Sequence, residues 1–261
     1  MKILLFNTRP YKFLASLVIC ATLVISLISM GTASTVFFGY AKRKVPIYAV
    51  KTDSKKICIT FDAAYGSDET VKIINTIKEK NVKATFFLVG FWVDKYPEMV
   101  KMLDDAGIEI GSHSNTHPYM SKLSSEQVRQ ELTTSVDKIK AITGKDVKFF
   151  RPPYGDYNDT LISVCDEIGL KAIQWSVDSL DWKGLTTSQM LARINPDIAG
   201  GGIILFHNNS DHIVEALPVI IDTLVERGFE LVTMSELIYD QKARYVLTLS
   251  KRYNKVLETL K

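Results

Sequence analysis

The sequence contains few cysteines, and their number and spacing exclude a disulfide-rich domain and a cysteine-based zinc domain. There are three among 261 residues: Cys20, Cys58 and Cys165. They are too few for a disulfide framework, and no two have the short spacing of a cysteine-based zinc site. We therefore expect each to act as a small apolar side chain, Cys20 in an apolar N-terminal segment and the others in a strand and a helix.

Outside its N-terminal segment, the chain also has no net charge. The formal net charge of +3 arises from Lys2, Arg9 and Lys12, which no acidic residue accompanies before a long apolar segment. Without them, 29 basic residues balance 29 acidic ones. Such a balance provides no general basic surface, so we expect no nucleic-acid partner.

Charge is absent altogether from Phe13 to Ala41, and much of that stretch is apolar. About 20 apolar residues in a helix span a bilayer, so residues 1–41 are predicted to form a cytoplasmic tip and a transmembrane anchor. A cleaved signal peptide is the alternative, since small residues at 31–33 could be cut. The apolar run is longer than the usual h-region of about 7–15 residues, which favours the uncleaved anchor.

The charges that flank this anchor do not by themselves determine its orientation in the membrane. Basic residues flank it on both sides, with Lys42, Arg43 and Lys44 after it, so the positive-inside rule gives a tie. An N-terminal segment preceded by basic residues usually sends the rest of the chain outward. We predict a single-pass protein of the cell membrane whose main domain is extracytoplasmic.

Beyond a predicted polar linker at 42–54, strand-like and helix-like segments alternate over residues 55–240. This alternation predicts a parallel sheet covered by helices, either open and doubly wound or closed into a barrel. The predicted strands are 57–61, 84–89, 108–112, 147–151, 171–177, 202–206 and 229–233. The predicted helices are 71–81, 97–107, 124–144, 158–169, 187–199 and 213–226.

The last segment, 241–261, is a basic tail with one acidic residue, Glu258, against six basic ones. Its apolar residues recur every three or four positions, which predicts one apolar helix face. The face could pack on the outside of the domain. The basic flank favours contact with anionic lipid or wall polymer instead.

Polar residues follow the ends of the predicted strands, as functional residues do in barrels of the TIM type. They are Asp62, His113, Arg151, Asp178 and His207. In the loop after the third strand, His113 and His117 are four residues apart, so their nitrogens could converge on one cation. Taken alone, the pair could equally be two polar loop residues.

The other strand-end residues suit acid–base chemistry. Asp62 could be a general base or a helix N-cap, and His207 a proton donor near neutral pH or a core histidine. Asp178 or Asp181 could orient an imidazole, or each could cap its loop.

Two stiff or aromatic segments complete the candidate site. Two prolines after Arg151 could hold the Tyr154 N–H toward a developing oxyanion, or could simply form a rigid turn. Arg151 could also pair with Asp62 and orient it. Trp182 could form the wall of a sugar site, or pack in the core.

Five motifs in this order resemble those of the polysaccharide deacetylases: Thr-Phe-Asp, His-Ser-x-x-His, Arg-Pro-Pro-Tyr-Gly, Asp-x-x-Asp-Trp and Leu-Phe-His. The resemblance covers residues 55–240. It implies a distorted (β/α)7 barrel and metal-assisted hydrolysis of N-acetyl groups on the amino sugars of a cell-wall glycan, peptidoglycan or a chitooligosaccharide-like polymer.

The resemblance also implies a role for each motif residue. Asp62 matches the catalytic base, Arg151 the residue that orients it, His207 the general acid and Asp181 the residue that tunes that acid. Tyr154 matches the oxyanion donor. Two further roles are implied. His113 and His117 match the metal pair, which would hold a divalent ion such as zinc, and Trp182 and Leu205 match the pocket for the acetyl methyl.

One position departs from the family pattern. The family usually has a second Asp after the base, which completes the metal triad, and here that position is Ala63. Two imidazoles bind a divalent ion more weakly than three protein ligands. Asp62, Asp68 or water is left as the third ligand. Altered first motifs of this kind resemble the sporulation-associated, membrane-anchored subset of the family.

Three functions therefore stay open from the sequence. Asp62, Arg151 and His207 favour the deacetylase, since a binding protein needs no acid–base pair. Ala63 favours a catalytically weak or silent glycan-binding protein of the same fold. A metallohydrolase with another substrate is the third, because fold alone does not fix function.

Overall fold

The computed structural model describes residues 43–239 and the backbone of 244–246. The predicted transmembrane anchor and most of the basic tail lie outside the described residues. Among the helices that are described, none has the length and apolar character needed to cross a bilayer.

Strands and helices alternate along the described chain, as the sequence predicts. The strands are Ala49–Lys51 (β1), Lys56–Ala63 (β2), Ala84–Leu88 (β3), Glu109–Ser112 (β4), Phe149–Phe150 (β5), Lys171–Ala172 (β6), Val177–Asp178 (β7), Ile203–His207 (β8), Glu230–Leu231 (β9) and Arg244–Val246 (β10). The α-helices are Thr70–Glu79 (α1), Gly90–Lys95 (α2), Pro97–Asp105 (α3), Ser125–Thr143 (α4), Asp159–Glu167 (α5), Thr187–Asp197 (α6), Ile213–Glu226 (α7) and Met234–Ile238 (α8).

Eight of these strands form one parallel sheet in the order β6-β5-β4-β3-β2-β8-β7, with β9 also paired to β2. The two edge strands, β6 and β7, are separated by only four residues, 173–176. Four extended residues span at most about 14 Å, so the edges must lie close and the sheet must curl. The predicted parallel α/β architecture is confirmed, and the barrel is open between β6 and β7.

Strand β2 lies between β3 and β8 in the sheet and is buried on both faces from Ile57 onward. Ile57, Ile59 and Phe61 belong to the core cluster that includes the helices, whereas Cys58 belongs to the cluster on the opposite face. The Phe61 ring stacks on Phe86 at 4.7 Å between centroids. Alternation along the strand puts Asp62 on the Cys58 side, facing the interior of the curled sheet.

The predicted fifth strand, 171–177, is interrupted in the structure. Its backbone changes partners within a few residues: the Ile173 N–H donates to Phe150 O, the Gln174 N–H to Ile47 O and the Ser176 N–H to Ile203 O. The segment therefore carries the chain from one edge of the curled sheet to the other, which apolar patterning cannot reveal.

The segment predicted as a linker is part of the folded domain from residue 44 onward. Ile47 and Val50 are buried in the inner core cluster, and β1 pairs antiparallel with β10. In the basic tail, the described residues Arg244–Val246 form that strand where the sequence predicts a helix. Strand pairing with β1 is a tertiary contact that overrides the local helical pattern.

Candidate active site

The loop that carries the histidine pair is strained and firmly held. Strand β4 ends at Ser112, and both Ser114 (φ 69°) and His117 (φ 61°) adopt the left-handed region. The Ser114 hydroxyl accepts the His117 N–H at 2.9 Å. Backbone strain of this kind persists only where surrounding contacts hold it.

The contacts that hold this loop come from helix α4 through the side chain of Glu131. Its Oε2 accepts the N–H groups of Asn115 and Thr116 at 2.9 and 2.8 Å, and its Oε1 accepts the Thr116 hydroxyl at 2.7 Å. One carboxylate thus satisfies three donors between the two histidines. Sequence reasoning missed Glu131 because it lies 14 residues beyond His117 on a different element.

Replacing Glu131 with Leu should lower the free energy of unfolding by about 1–3 kcal/mol, because it leaves these donors without their charged acceptor. Urea unfolding measures this change. Glu131→Gln should retain much of the stability, since its amide oxygen still accepts the N–H groups. Asp137→Leu, at an exposed position of the same helix, is the control. Equal stability of Glu131→Leu and the control would show that the loop does not depend on this carboxylate.

The two histidines face each other with ring centroids 4.9 Å apart. The His113 Nδ1–H donates to the Arg151 carbonyl at 2.7 Å, so the Nε2 lone pair points toward Asp62 Oδ2, 3.5 Å away. The Nδ1 of His117 is buried without a hydrogen-bond partner in the described structure. An imidazole fixed through its other nitrogen by a carbonyl is typical of metal ligands.

Burial keeps both imidazoles neutral, as ligation of a metal requires. Burial and, to a smaller extent, the neighbouring His113 together lower the pKa of His117 to about 4. Burial likewise lowers the pKa of His113, although Asp62 opposes the shift. The pair therefore has lone pairs available at neutral pH.

Asp62, at the end of β2, forms a buried ion pair with Arg151. The Arg151 Nη1 donates to Asp62 Oδ1 at 2.8 Å and its Nη2 to Gln174 O at 3.1 Å, and the guanidinium lies 4.2 Å from the centre of the Phe87 ring. Burial opposes ionisation of Asp62, but Arg151 and the nearby histidines outweigh it and lower the pKa of the carboxyl. Asp62 is therefore a carboxylate, and its strand position excludes the N-cap alternative.

His207 ends β8 and is oriented by Asp181. Asp181 is fully buried; its Oδ1 lies 2.8 Å from His207 Nδ1, and its Oδ2 accepts the His207 N–H at 2.7 Å and the Ser210 hydroxyl at 3.0 Å. Burial disfavours protonation of His207, but the hydrogen bond and charge of Asp181 prevail and raise its pKa. This bond uses Nδ1 and leaves Nε2 for proton transfer.

Asp62 and His207 occupy directly paired positions on adjacent parallel strands, β2 and β8. Paired positions project to the same face of a sheet. Both side chains open onto one cavity of about 510 Å³. Its wall consists of Asp62, Ala64, Tyr65, His113, His117, Tyr154, Trp175, Asp178, Trp182, Leu205, His207 and Asn209.

The mouth of this cavity is aromatic. Tyr154 follows Pro153 in the left-handed region (φ 59°), and its exposed ring stacks on Tyr119 at 4.4 Å. The hydrogen bonds that close this turn use the N–H groups of Gly155 and Asp156, and not that of Tyr154. Trp182 is 58% exposed at the wall, and Leu205 is buried beneath.

The structure brings the nine predicted site residues to one end of the sheet. Seven line the cavity, Arg151 lies behind Asp62, and Asp181 lies behind His207. Asp181 is the aspartate bonded to the imidazole, whereas Asp178 lines the wall. Sequence reasoning missed Trp175 and Asn209, which follow strand ends without a distinctive motif.

The third metal ligand is the point at which the site departs from the expected set. Ala63 has no exposed surface and belongs to the apolar cluster, and Asp68 is exposed and does not line the cavity. In the described part of the chain, no group of three or more His, Cys, Asp or Glu side chains is arranged to hold a metal ion. The pair of buried His113 and half-buried His117 thus fits a cation, but the complete three-ligand set does not form.

Comparison with known proteins identifies relatives of this site. The model of the polysaccharide deacetylase family matches residues 49–173. A peptidoglycan-N-acetylglucosamine deacetylase of Bacillus cereus is 30% identical over 211 residues, 79% of this chain and 77% of that protein. The peptidoglycan-N-acetylmuramic acid deacetylase PdaA of Bacillus subtilis is 30% identical and covers 76% of each chain.

The solved structures include a relative without activity. A pseudoenzyme of carbohydrate esterase family 4 from Bacillus anthracis is 35% identical with a TM-score of 0.72, over 75% of this chain and 69% of that one. A mutant of the pseudoenzyme, described as having restored enzymatic activity, is 37% identical with the same TM-score of 0.72.

Proposed function

Because the chain belongs to the polysaccharide deacetylase family, we propose that it hydrolyses N-acetyl groups on the amino sugars of a cell-wall glycan, peptidoglycan or a related polymer. The observation that carries the proposal is the pairing of Asp62 with His207 across adjacent strands, one ionised beside Arg151 and the other held protonated by Asp181. A base and an acid with opposite pKa shifts at one cavity suit hydrolysis of an amide.

In the proposed reaction, the Asp62 carboxylate takes a proton from a water molecule as the water oxygen attacks the acetyl carbonyl carbon. The Tyr154 N–H stabilises the negative charge that develops on the carbonyl oxygen. His207 donates its Nε2 proton to the amine nitrogen as the C–N bond breaks. The products are acetate and a glycan with a free amino group.

Other residues position the substrate. Leu205 and Trp182 provide the apolar surface that the acetyl methyl group requires, and the exposed Trp182 ring suits contact with a sugar. Arg151 acts through Asp62, because its guanidinium is buried behind that carboxylate. It therefore orients the base without touching the substrate.

A divalent ion, zinc in our proposal, would be held by His113 and His117. When bound, such an ion polarises the acetyl carbonyl and lowers the pKa of water. With two protein ligands, it should bind weakly, and water or Asp62 should complete its shell.

Zinc binding by the full-length protein should accordingly be weak and easily reversed by chelator. His113→Ala and His117→Ala should each abolish it, whereas His212→Ala should not, because His212 lies away from the cavity beside Glu215. Isothermal titration calorimetry measures the affinities. Zinc binding that survives either of the first two substitutions would remove that histidine from the site.

Ala63→Asp should tighten zinc binding by adding an anionic ligand, at a cost in stability because Ala63 is buried among apolar residues. An unchanged affinity would show that a carboxylate at residue 63 stays on the apolar face of β2.

A silent glycan-binding protein is the second candidate, favoured by Ala63 and by the similarity to the pseudoenzyme. Mass spectrometry of N-acetylglucosamine oligomers after incubation with the protein and zinc distinguishes the two. Loss of acetyl groups supports the enzyme. Intact oligomers that nevertheless bind the protein support the second candidate.

We also propose that the uncharged segment at 13–41 anchors the protein in the cell membrane with this domain outside. The altered first motif, Asp62 followed by Ala63, resembles sporulation-associated family members, so the spore cortex is one possible site of action. Carbonate-washed membranes from expressing cells should retain the full-length chain. A soluble mature protein beginning near residue 34 would show that the segment is a cleaved signal peptide.

A further inference from the structure

We infer that Asp178 is a specificity residue: the cavity accepts an uncharged N-acetylated sugar and disfavours one that carries a carboxylate. This inference rests on the proposed function and concerns the sugar on which it acts. The relatives leave that sugar open, since one is named for N-acetylglucosamine and another for N-acetylmuramic acid. The second sugar differs from the first by a lactyl ether that ends in a carboxylate.

The first argument is the distribution of charge on the cavity wall. Two aspartates, Asp62 and Asp178, line the cavity, and its lining residues include neither lysine nor arginine. Lys183 and Lys122 lie over the outer rings of Trp182 and Tyr119, beyond that lining. Of the lining histidines, His207 alone has a raised pKa, and Asp181 balances its charge. A carboxylate on the substrate would therefore meet anionic oxygens without an unpaired cation.

The second argument concerns Arg151, the only fully buried arginine in the described part of the chain, because its Nη groups are already hydrogen-bonded. Arg151 is fully buried, with one Nη bonded to Asp62 and the other to the Gln174 carbonyl. Redirecting it toward a substrate would leave Asp62 buried without its counter-charge, which is strongly unfavourable. Without bound metal, the Asp62–Arg151 and Asp181–His207 pairs are each close to neutral, which leaves Asp178 as the net charge on the wall.

The third argument is that the Asp178 carboxylate is fixed in place. Its Oδ1 accepts the Leu180 N–H at 2.9 Å, and Leu180 adopts the left-handed region (φ 52°) in the same turn. Burial raises the pKa of Asp178, and this hydrogen bond, His207 and Arg193 oppose that shift by favouring the charged form. A fixed like charge in a partly enclosed site is an effective means of rejecting the wrong ligand.

The test compares two ligands of equal length: an N-acetylglucosamine oligomer, and an oligomer in which alternate units are N-acetylmuramic acid with free carboxylates. Calorimetry with metal-free, full-length protein at low salt measures binding independently of turnover and of the charge of a bound cation. The wild type should bind the neutral oligomer about tenfold more tightly or better. The preference should shrink at high salt, because salt screens the repulsion.

Two substitutions at the wall assign the effect to this position. Asp178→Asn should reduce the preference for the neutral oligomer over the acidic one, mainly by tightening binding of the acidic oligomer. Asp211→Asn, at an exposed carboxylate outside the lining, should leave it unchanged. Asn209→Lys adds a cation to the same wall and should also favour the acidic oligomer, which provides a second test if Asp178→Asn folds poorly.

The outcomes separate this inference from the proposed function. Equal binding of both oligomers by wild type, or a preference unchanged in both Asp178→Asn and Asn209→Lys, overturns the inference and leaves the deacetylase intact. Tighter binding of the acidic oligomer by wild type also overturns it. If neither oligomer binds, the proposed function fails and the inference fails with it.

Discussion

Asp62→Asn is expected to lower the rate of acetate release by about 10²–10⁴-fold, the usual effect of removing a general base. The amide can accept the hydrogen bond from Arg151 but cannot take a proton from water at neutral pH. Release of acetate from N-acetylglucosamine oligomers, measured with saturating zinc, gives the rate. A variant that retains the wild-type rate would remove Asp62 from the mechanism.

The same substitution should also destabilise the protein, which the sequence alone does not suggest. Arg151 is fully buried and would lose its anionic partner, and removal of one member of a buried pair typically costs about 3–5 kcal/mol. Asp222→Asn is the control, because Asp222 pairs with Lys80 at the surface, where ion pairs contribute about 0–1 kcal/mol.

A double variant separates catalysis from stability. Asp62→Leu combined with Arg151→Met replaces the ion pair with apolar side chains and should recover much of the lost stability. It should remain inactive, because the base is still missing. Recovery of activity along with stability would mean that Asp62 supports the fold and does not act on water.

The second large effect is expected at His207. His207→Ala should lower acetate release by about 10²–10⁴-fold, since the leaving amine then lacks its proton donor. The substitution should also lower the stability, because the fully buried Asp181 loses the imidazole bonded to its Oδ1. An unaffected rate would exclude His207 as the acid.

The pH profile identifies the role of Asp181. The reaction needs protonated His207, so the rate should fall as pH rises through the raised pKa of this histidine. Asp181→Asn removes the charge that raises this pKa and should move the alkaline limb to lower pH. An alkaline limb that does not move would assign it to another group.

The raised pKa of His207 also makes the stability of the fold depend on pH. Because the pKa of His207 is higher in the folded state, its protonation stabilises the fold. This contribution to the free energy of unfolding is fully present below the pKa of the unfolded state, about 6.5. The contribution is lost as pH rises through the folded value. Unfolding measured across this window in wild type and Asp181→Asn should show the loss in wild type alone.

Much of the fold was predictable because strand and helix periodicities are local. The capping box at Ser124 and the left-handed Gly144 bound helix α4 as the sequence indicates. The break in the predicted strand 171–177 was not predictable, since it depends on which distant backbone groups the segment meets. The burial of Ile47 and Val50 in the predicted linker likewise depends on tertiary packing.

Some residues of the candidate site could likewise be predicted from the sequence, and others could not. Residues at strand ends, such as Asp62 and His207, could be identified because parallel strands bring their carboxyl ends to one edge of the sheet. Glu131 could not, since it acts from a helix on a loop that it meets only in space. The environment of Ala63 also needed the structure, because alternation along β2 separates it from Asp62 at the cavity.

The most direct test of the account is acetate release by the full-length protein, stripped of metal by chelator and then titrated with zinc, on N-acetylglucosamine oligomers. We predict that release is near zero without metal, rises to saturation only at high zinc concentration and is abolished by Asp62→Asn. Absence of acetate at every zinc concentration, while the oligomers still bind, would contradict the account and support a silent glycan-binding protein.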